Sequence, residues 1–200
     1  MKRLLSAVLL LSIISFSLPG QETGEYKVFR GCGGGMMLSA GYASGNIDAI
    51  GYRARGATFG IGGLARVCLG DHWRTGFEGY MSTMGQLGNG SYVKYGWGGL
   101  FGDYCWHLGK FIPHLGLTLG GGVNKDYLMF GNPEQDWTPV KEAYFNRRGF
   151  MALDPFIGCE YAVADGFHLN LRLDWLCCVS RKSYEIPTGP RLYIGFIFCH

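Results

Sequence analysis

Between Phe167 and Leu176 the chain alternates without a break. Leu169, Leu171, Leu173 and Trp175 fall on one parity, and His168, Asn170, Arg172 and Asp174 on the other. Successive side chains of a strand point to opposite faces, so this stretch predicts a β-strand with one apolar and one polar side. Two settings suit such a strand. One side can face water, or lipid can lie outside and a polar lumen inside.

The same test, with Gly, Asp and Asn clusters read as turns, divides the chain into eight strand segments. They run from Lys27 to Gly41, Ala57 to Leu69, Arg74 to Gly85, Tyr92 to Trp106, Phe111 to Val123, Gly149 to Val163, Phe167 to Cys178 and Arg191 to Cys199. Very short connections fall at Gly70–Trp73, His107–Lys110 and Ala164–Gly166. Longer ones fall between them, at Tyr42–Gly56, Gln86–Ser91, Asn124–Arg148 and Ser180–Pro190. Short and long connections alternating over an even number of strands predict an all-β fold, an eight-stranded antiparallel up-and-down transmembrane β-barrel. Tight turns then lie on the periplasmic side and long loops outside.

Parity assigns the faces. Ile61, Ala65, Val67 and Leu69 oppose Arg66; Phe77 and Met81 oppose Arg74, Glu78 and Ser82; Leu115, Leu117, Leu119 and Val123 oppose His114 and Thr118. Ile157, Tyr161 and Val163 oppose Glu160, and Leu192, Ile194, Phe196 and Phe198 oppose Arg191. In the fourth segment the apolar parity is Val93, Tyr95, Trp97 and Phe101, which turns Lys94 inward and leaves Asp103 facing lipid near a turn. The first segment, with Gly33-Gly34-Gly35 and Met36-Met37, shows no clean parity. Tyr95, Trp97 and Trp175 are expected in an outer aromatic girdle, Tyr161 and Phe198 in a periplasmic one. The interior charge network is then Arg66, Arg74, Glu78, Lys94, His114, Glu160, Arg172, Asp174 and Arg191. An eight-stranded barrel is only wide enough for side chains, so these charges must pair. Arg66 is expected to meet Glu78 across a hairpin, and Arg172 and Asp174 to share a face with Glu160.

The N-terminus adds a compartment. Lys2 and Arg3 precede the apolar run Leu4–Phe16, and small residues with Pro19-Gly20 follow, so residues 1–20 predict a cleaved secretory signal and 21–200 a single barrel domain. The 34 glycines and 30 aromatics against only 33 charged residues suit β-structure with close backbone approaches. A net charge of +3 gives no reason to expect nucleic acid.

Two runs, Phe111-Ile112-Pro113-His114-Leu115-Gly116-Leu117-Thr118-Leu119-Gly120 and Tyr193-Ile194-Gly195-Phe196-Ile197-Phe198-Cys199-His200, carry a resemblance to a known family. The chain resembles the small eight-stranded outer-membrane β-barrels that include OmpA-type and OmpX-type domains. His200 stands where that family usually ends on Phe. The resemblance implies an outer-membrane location, contact with outer-membrane lipids, and delivery to the barrel-assembly machinery through the last strand.

Chemistry-bearing motifs are sparse. Seven cysteines, an odd number, lie mostly within strands, with no Cys-x-x-Cys or Cys/His zinc spacing. Cys32 and Cys199 lie near one another on strands that meet at closure, but on opposite faces. No Gly-x-Ser-x-Gly elbow occurs, and the acids and serines of the outer rim lack a histidine. Neither a cofactor nor catalysis is expected. The loop at Asn124–Arg148, mixing Tyr127, Phe130, Trp137, Tyr144 and Phe145 with charge, is the candidate contact for an external ligand or surface partner. The functional expectation is an outer-membrane protein with a charge-plugged interior and a structural or surface-interaction role. A narrow porin-like channel, a lipid-modifying enzyme and a soluble lipocalin-type barrel are the alternatives.

Overall fold

The computed structural model describes residues 29–86, 90–130, 142–179 and 185–200. Residues 1–20, read as a signal, lie outside them. The strands are β1 (Phe29–Ile47), β2 (Tyr52–Leu69), β3 (Trp73–Gln86), β4 (Ser91–Cys105), β5 (Phe111–Phe130), β6 (Glu142–Ala164), β7 (Phe167–Cys178) and β8 (Gly189–Cys199). Each pairs antiparallel with its neighbour in sequence. β8 then returns to β1, with Gly33 opposite Cys199 and Gly41 opposite Arg191, so the sheet closes into a barrel. Within the closed wall each described strand is therefore flanked on both sides, which removes the edge an open sheet would present.

Glycine makes the short turns possible. Gly70, Gly109 and Gly166 sit in the three of them with φ of 63°, 67° and 75°. That left-handed region costs a residue with a side chain about 1–2 kcal/mol and costs glycine nothing. At the opposite rim the strands run further than the sequence suggests. β1 continues through Ile47 to a tight 3-10 turn at Asp48–Ile50, and β2 begins at Tyr52, so most of the expected loop Tyr42–Gly56 is hairpin. β5 and β6 stay paired out to Phe130 and Glu142, with β4 alongside β5 as far as Tyr92 and Tyr127, which converts much of the expected loop Asn124–Arg148 into a projecting ribbon of sheet. Trp137 lies outside the described residues.

Parity holds on every strand. Leu115, Leu119, Ile157, Leu171, Leu173 and Ile194 are half or more exposed or close to it, and they belong to an apolar belt round the whole barrel. A belt of that extent is unstable in water and matches a lipid-facing surface. Trp73, Tyr104, Trp106, Phe111, Tyr161 and Phe198 crowd the short-turn rim, with Trp73 and Tyr104 5.1 Å apart and Phe111 and Tyr161 also 5.1 Å apart. β1 has a parity after all: Met36, Leu38 and Tyr42 point out, while Met37, Ser39 and Ala43 are buried.

β4 is inverted relative to the sequence reading. Val93, Tyr95, Trp97, Phe101 and Asp103 are buried inside, and the outward series is Tyr92, Lys94, Gly96, Gly98, Leu100 and Gly102. The reason is an aromatic layer within the lumen. Tyr80, Tyr95, Trp97, Phe150 and Tyr193 pack there with Met37 and Leu176, and Tyr80 stacks edge-on to Tyr193 at 4.7 Å. Apolar parity therefore marks lipid on the other strands but marks the core on β4. Tyr95 and Trp97 accordingly belong to no girdle, and Asp103 has no lipid exposure.

Candidate functional site

Inward parity on six strands brings the charged side chains together in two layers. Nearer the short turns, Arg66 of β2 reaches across the lumen to Glu160 of β6, engaging both carboxylate oxygens, one at 2.9 Å. Arg74 of β3 forks onto Asp103 of the neighbouring β4 at 2.8 and 2.6 Å and also reaches Glu160 at 2.8 Å. Nδ1 of His168 lies 3.1 Å from the other Glu160 oxygen. Two guanidinium planes and two carboxylates thus meet with matched charge, in the bidentate geometry that makes such pairs strong.

The second layer is central. Arg172 of β7 engages both oxygens of Glu78 on β3, one at 2.9 Å, and Asp154 on β6 at 3.1 Å. Arg191 of β8 forks onto Asp174 at 2.8 and 2.9 Å and reaches Asp154 at 2.9 Å. Thr118 and Tyr80 each donate a hydroxyl to Glu78, at 2.5 and 3.2 Å. The aromatic layer closes over these charges, with the Arg172 guanidinium 3.7 Å from the Phe156 ring centroid and Arg191 5.0 Å from that of Trp97. Cation–π contact of this kind satisfies a guanidinium face that no oxygen covers. Among the described residues the central layer sets Arg172 and Arg191 against Glu78, Asp154 and Asp174, a formal excess of one carboxylate.

The structure places the expected site residues as follows. Arg66, Glu78, His114, Glu160, Arg172, Asp174 and Arg191 are all buried in the lumen. Lys94 is not; it points outward, because it shares parity with the outer glycines of β4 and not with its aromatics. Arg66 does not meet Glu78. The register sets Glu78 beside Leu64, while the long guanidinium chains cross a narrow lumen and take partners on the opposite wall. His114 stands 6.1 Å from the Phe156 ring, and its Nδ1 lies 3.3 Å from the Ile112 carbonyl oxygen. Sequence reasoning missed Asp154 and Asp103. Asp154 shares the parity of Glu160 six residues on, a signal that was present. Asp103 carried one too, since a carboxylate on a supposed lipid face argues for turning the whole strand over.

A vestibule of about 500 Å³ opens at the short-turn rim and is lined by Cys68, Cys105, Cys199, Arg66, Arg74 and His168, so it ends on the first charged layer. Cys199 Sγ lies 3.8 Å from Nδ1 of His168, the same nitrogen that faces Glu160. Acid and thiol compete for one atom, so the imidazole cannot stand between them as a proton relay. Cys32, Cys68, Cys105, Cys159, Cys177 and Cys199 are free thiols, and Cys32 faces outward while Cys199 faces in.

Comparison with solved structures places this architecture. Neisserial surface protein A superposes with a TM-score of 0.57 at 15% identity, covering 84% of this chain and 99% of that one. The fold is that of the small outer-membrane barrels. Outer membrane protein OprG from Pseudomonas aeruginosa gives 0.55 at 14% identity over 85% and 95% of the two chains. Ail, the attachment invasion locus protein of Yersinia pestis, solved with the heparin analogue sucrose octasulfate, gives 0.53 at 10% identity over 86% and 100%. No protein-family model and no curated sequence matches the chain.

Proposed function

We propose that this protein is a monomeric outer-membrane β-barrel of a Gram-negative-type cell, sealed by its own side chains, that acts as a structural or surface-interaction protein. The apolar belt supports insertion in a bilayer, and the signal-like residues 1–20 support export. The last strand, with Tyr193, Gly195 and Phe198, is the element offered to the barrel-assembly machinery. The outer ends of β5 and β6, the two longest strands among the described residues, are the surface offered to an external partner. Tyr92, Tyr127 and Phe145 give it stacked rings, with Tyr92 and Tyr127 5.1 Å apart.

The observation that carries the sealed reading is the pair of cross-lumen forks, Arg66 with Glu160 and Arg172 with Glu78, between opposite walls. Moving an ion past them means separating buried ion pairs, each costing about 3–5 kcal/mol. Planar-bilayer recording tests this. The expected result is no resolvable unitary conductance from the native protein. A stable conductance that changes when Arg172→Gln or Glu160→Gln is introduced would establish the narrow-channel alternative instead. Outer-membrane fractionation with heat-modifiable migration on gels tests the location; recovery in the soluble periplasmic fraction would overturn it.

A further inference from the structure

Outside the lumen, Lys94 stands in a row. It pairs with Lys125 on β5, and Lys125 pairs with Arg147 on β6. All three have outward parity; Lys125 and Arg147 are exposed and Lys94 is half-buried. Residues paired across antiparallel strands lie about 5 Å apart, so three cations occupy an arc of roughly 10 Å at one height. Like charges directly opposite on a sheet repel. Nearby carboxylate is turned away: Asp126 is buried, held by Asn124 at 2.7 Å and Arg148 at 3.0 Å. Among the described residues none of the three forms an ion pair.

The rows on either side suit a particular anion. Towards the barrel's middle the next outward row is Met81, Gly96, Val123 and Gly149, and beyond it come Gly79, Gly98 and Gly121, with the exposed Met151 bounding the row on β6. Missing side chains there leave an apolar furrow of about 510 Å³ against Ile61, Met81 and Val123, with the three cations at its edge. A Cβ at Gly79 or Gly96 would lie 3.8 or 3.7 Å from its nearest neighbour, so backbone packing does not require glycine at either position. On the far side of the cations stand Tyr92, Tyr127 and Phe145, with the last two 4.6 Å apart. The outward residues of β5 are apolar or glycine from Leu115 to Val123, a rise of roughly 20 Å for a tilted strand. Lys125 comes next, at the edge of the belt, where lipid headgroups lie.

We propose that this face binds the phosphorylated sugar head of an outer-leaflet glycolipid. The phosphate lies against Lys94, Lys125 and Arg147, the sugar against the aromatic row, and one acyl chain in the furrow. The proposal rests on the outer-membrane reading. Its test is made in vitro on folded protein, so that a failure of binding and a failure of localisation are separately visible. Full-length protein in phosphatidylcholine nanodiscs is titrated with bisphosphorylated lipid A, with dephosphorylated lipid A and with inorganic phosphate, and bound lipid is counted by native mass spectrometry. The triple variant Lys94→Gln, Lys125→Gln, Arg147→Gln is expected to bind phosphorylated lipid A roughly 100-fold more weakly, about fivefold per cation, while keeping heat-modifiable migration. Lys125→Gln alone, at an exposed position, tests the same point with little risk to folding and is expected to lose about fivefold. Gly96→Val, which narrows the furrow, is expected to weaken lipid A without altering migration. Equal affinity for dephosphorylated lipid A, or undiminished binding by the cation variants, would overturn the proposal. So would inorganic phosphate binding as tightly as the lipid, which would mark a free-anion site.

Discussion

Replacing Arg172 and replacing Glu78 break the same fork, yet the two changes are expected to differ in cost. Both side chains are buried, Arg172 at 2% and Glu78 at 6% exposure. Arg172→Gln leaves Glu78, Asp154 and Asp174 facing Arg191 alone, so the excess of carboxylate rises from one to two. Removing one partner of a buried pair costs about 3–5 kcal/mol, and Arg172 also gives up its stacking on Phe156 at 3.7 Å. Glu78→Gln has the opposite effect on charge, since two arginines then face two carboxylates. Thr118 and Tyr80 bond different oxygens of Glu78, so the new side-chain amide keeps an acceptor for one of the two hydroxyls, and Arg172 keeps Asp154. Its cost is expected at about 1–2 kcal/mol, the scale of imperfectly replaced hydrogen bonds. Urea unfolding in lipid vesicles, followed by tryptophan fluorescence, measures both, and equal slopes would certify the comparison. If Glu78→Gln destabilises as much as Arg172→Gln, the charge excess assigned to the central layer is wrong.

Three further outcomes follow from faces and contacts. Asp103→Asn, which takes one arm of the fork from Arg74, is expected to cost about 3 kcal/mol, whereas Lys94→Gln should stay within about 0.5 kcal/mol on the same vesicle assay; the reverse ranking would restore the opposite face of β4. Leu171→Arg places a charge mid-way along the belt and is expected to cost about 2–4 kcal/mol in a bilayer, while little or no loss there would argue against lipid contact. Gly62 lies directly beneath the Tyr80 ring, so Gly62→Val must displace that ring from the aromatic layer and from Glu78. A loss of about 1–3 kcal/mol together with a changed near-ultraviolet spectrum is expected, and an unchanged spectrum would show that the ring does not rest there.

Strand number, order and closure were legible in the sequence because alternation is a local property. β7, from Phe167 to Cys178, has the limits that its pattern announces. Inward charge was legible for the same reason on β2, β3 and β5 to β8. What parity could not supply was the sign of a face whose two sides are both weakly marked. On β4 one side carries aromatics and the other glycines, and only Asp103 distinguishes core from lipid. On β1 the glycine run hides the alternation until Met36 and Met37. Pairing partners were illegible in a different way. Adjacent strands suggest neighbours, whereas a barrel core is decided by which long side chains cross the axis. Strand length at the projecting rim escaped because Tyr, Asn, Lys and Arg suit a ribbon in water as well as they suit a loop.

The forks between Arg66 and Glu160 and between Arg172 and Glu78 each join residues 94 positions apart. Neither can form within a hairpin, nor between two hairpins made in succession. They become possible only when the wall holding β2 and β3 has come round to face the wall holding β6 and β7. Interactions of such long range enter late and slow assembly. Because they are absent from partly closed states, their full strength opposes opening. The charges inside this barrel therefore act as a latch in time: they add little while the sheet is curling, and they hold the finished cylinder shut for long periods after β8 has met β1.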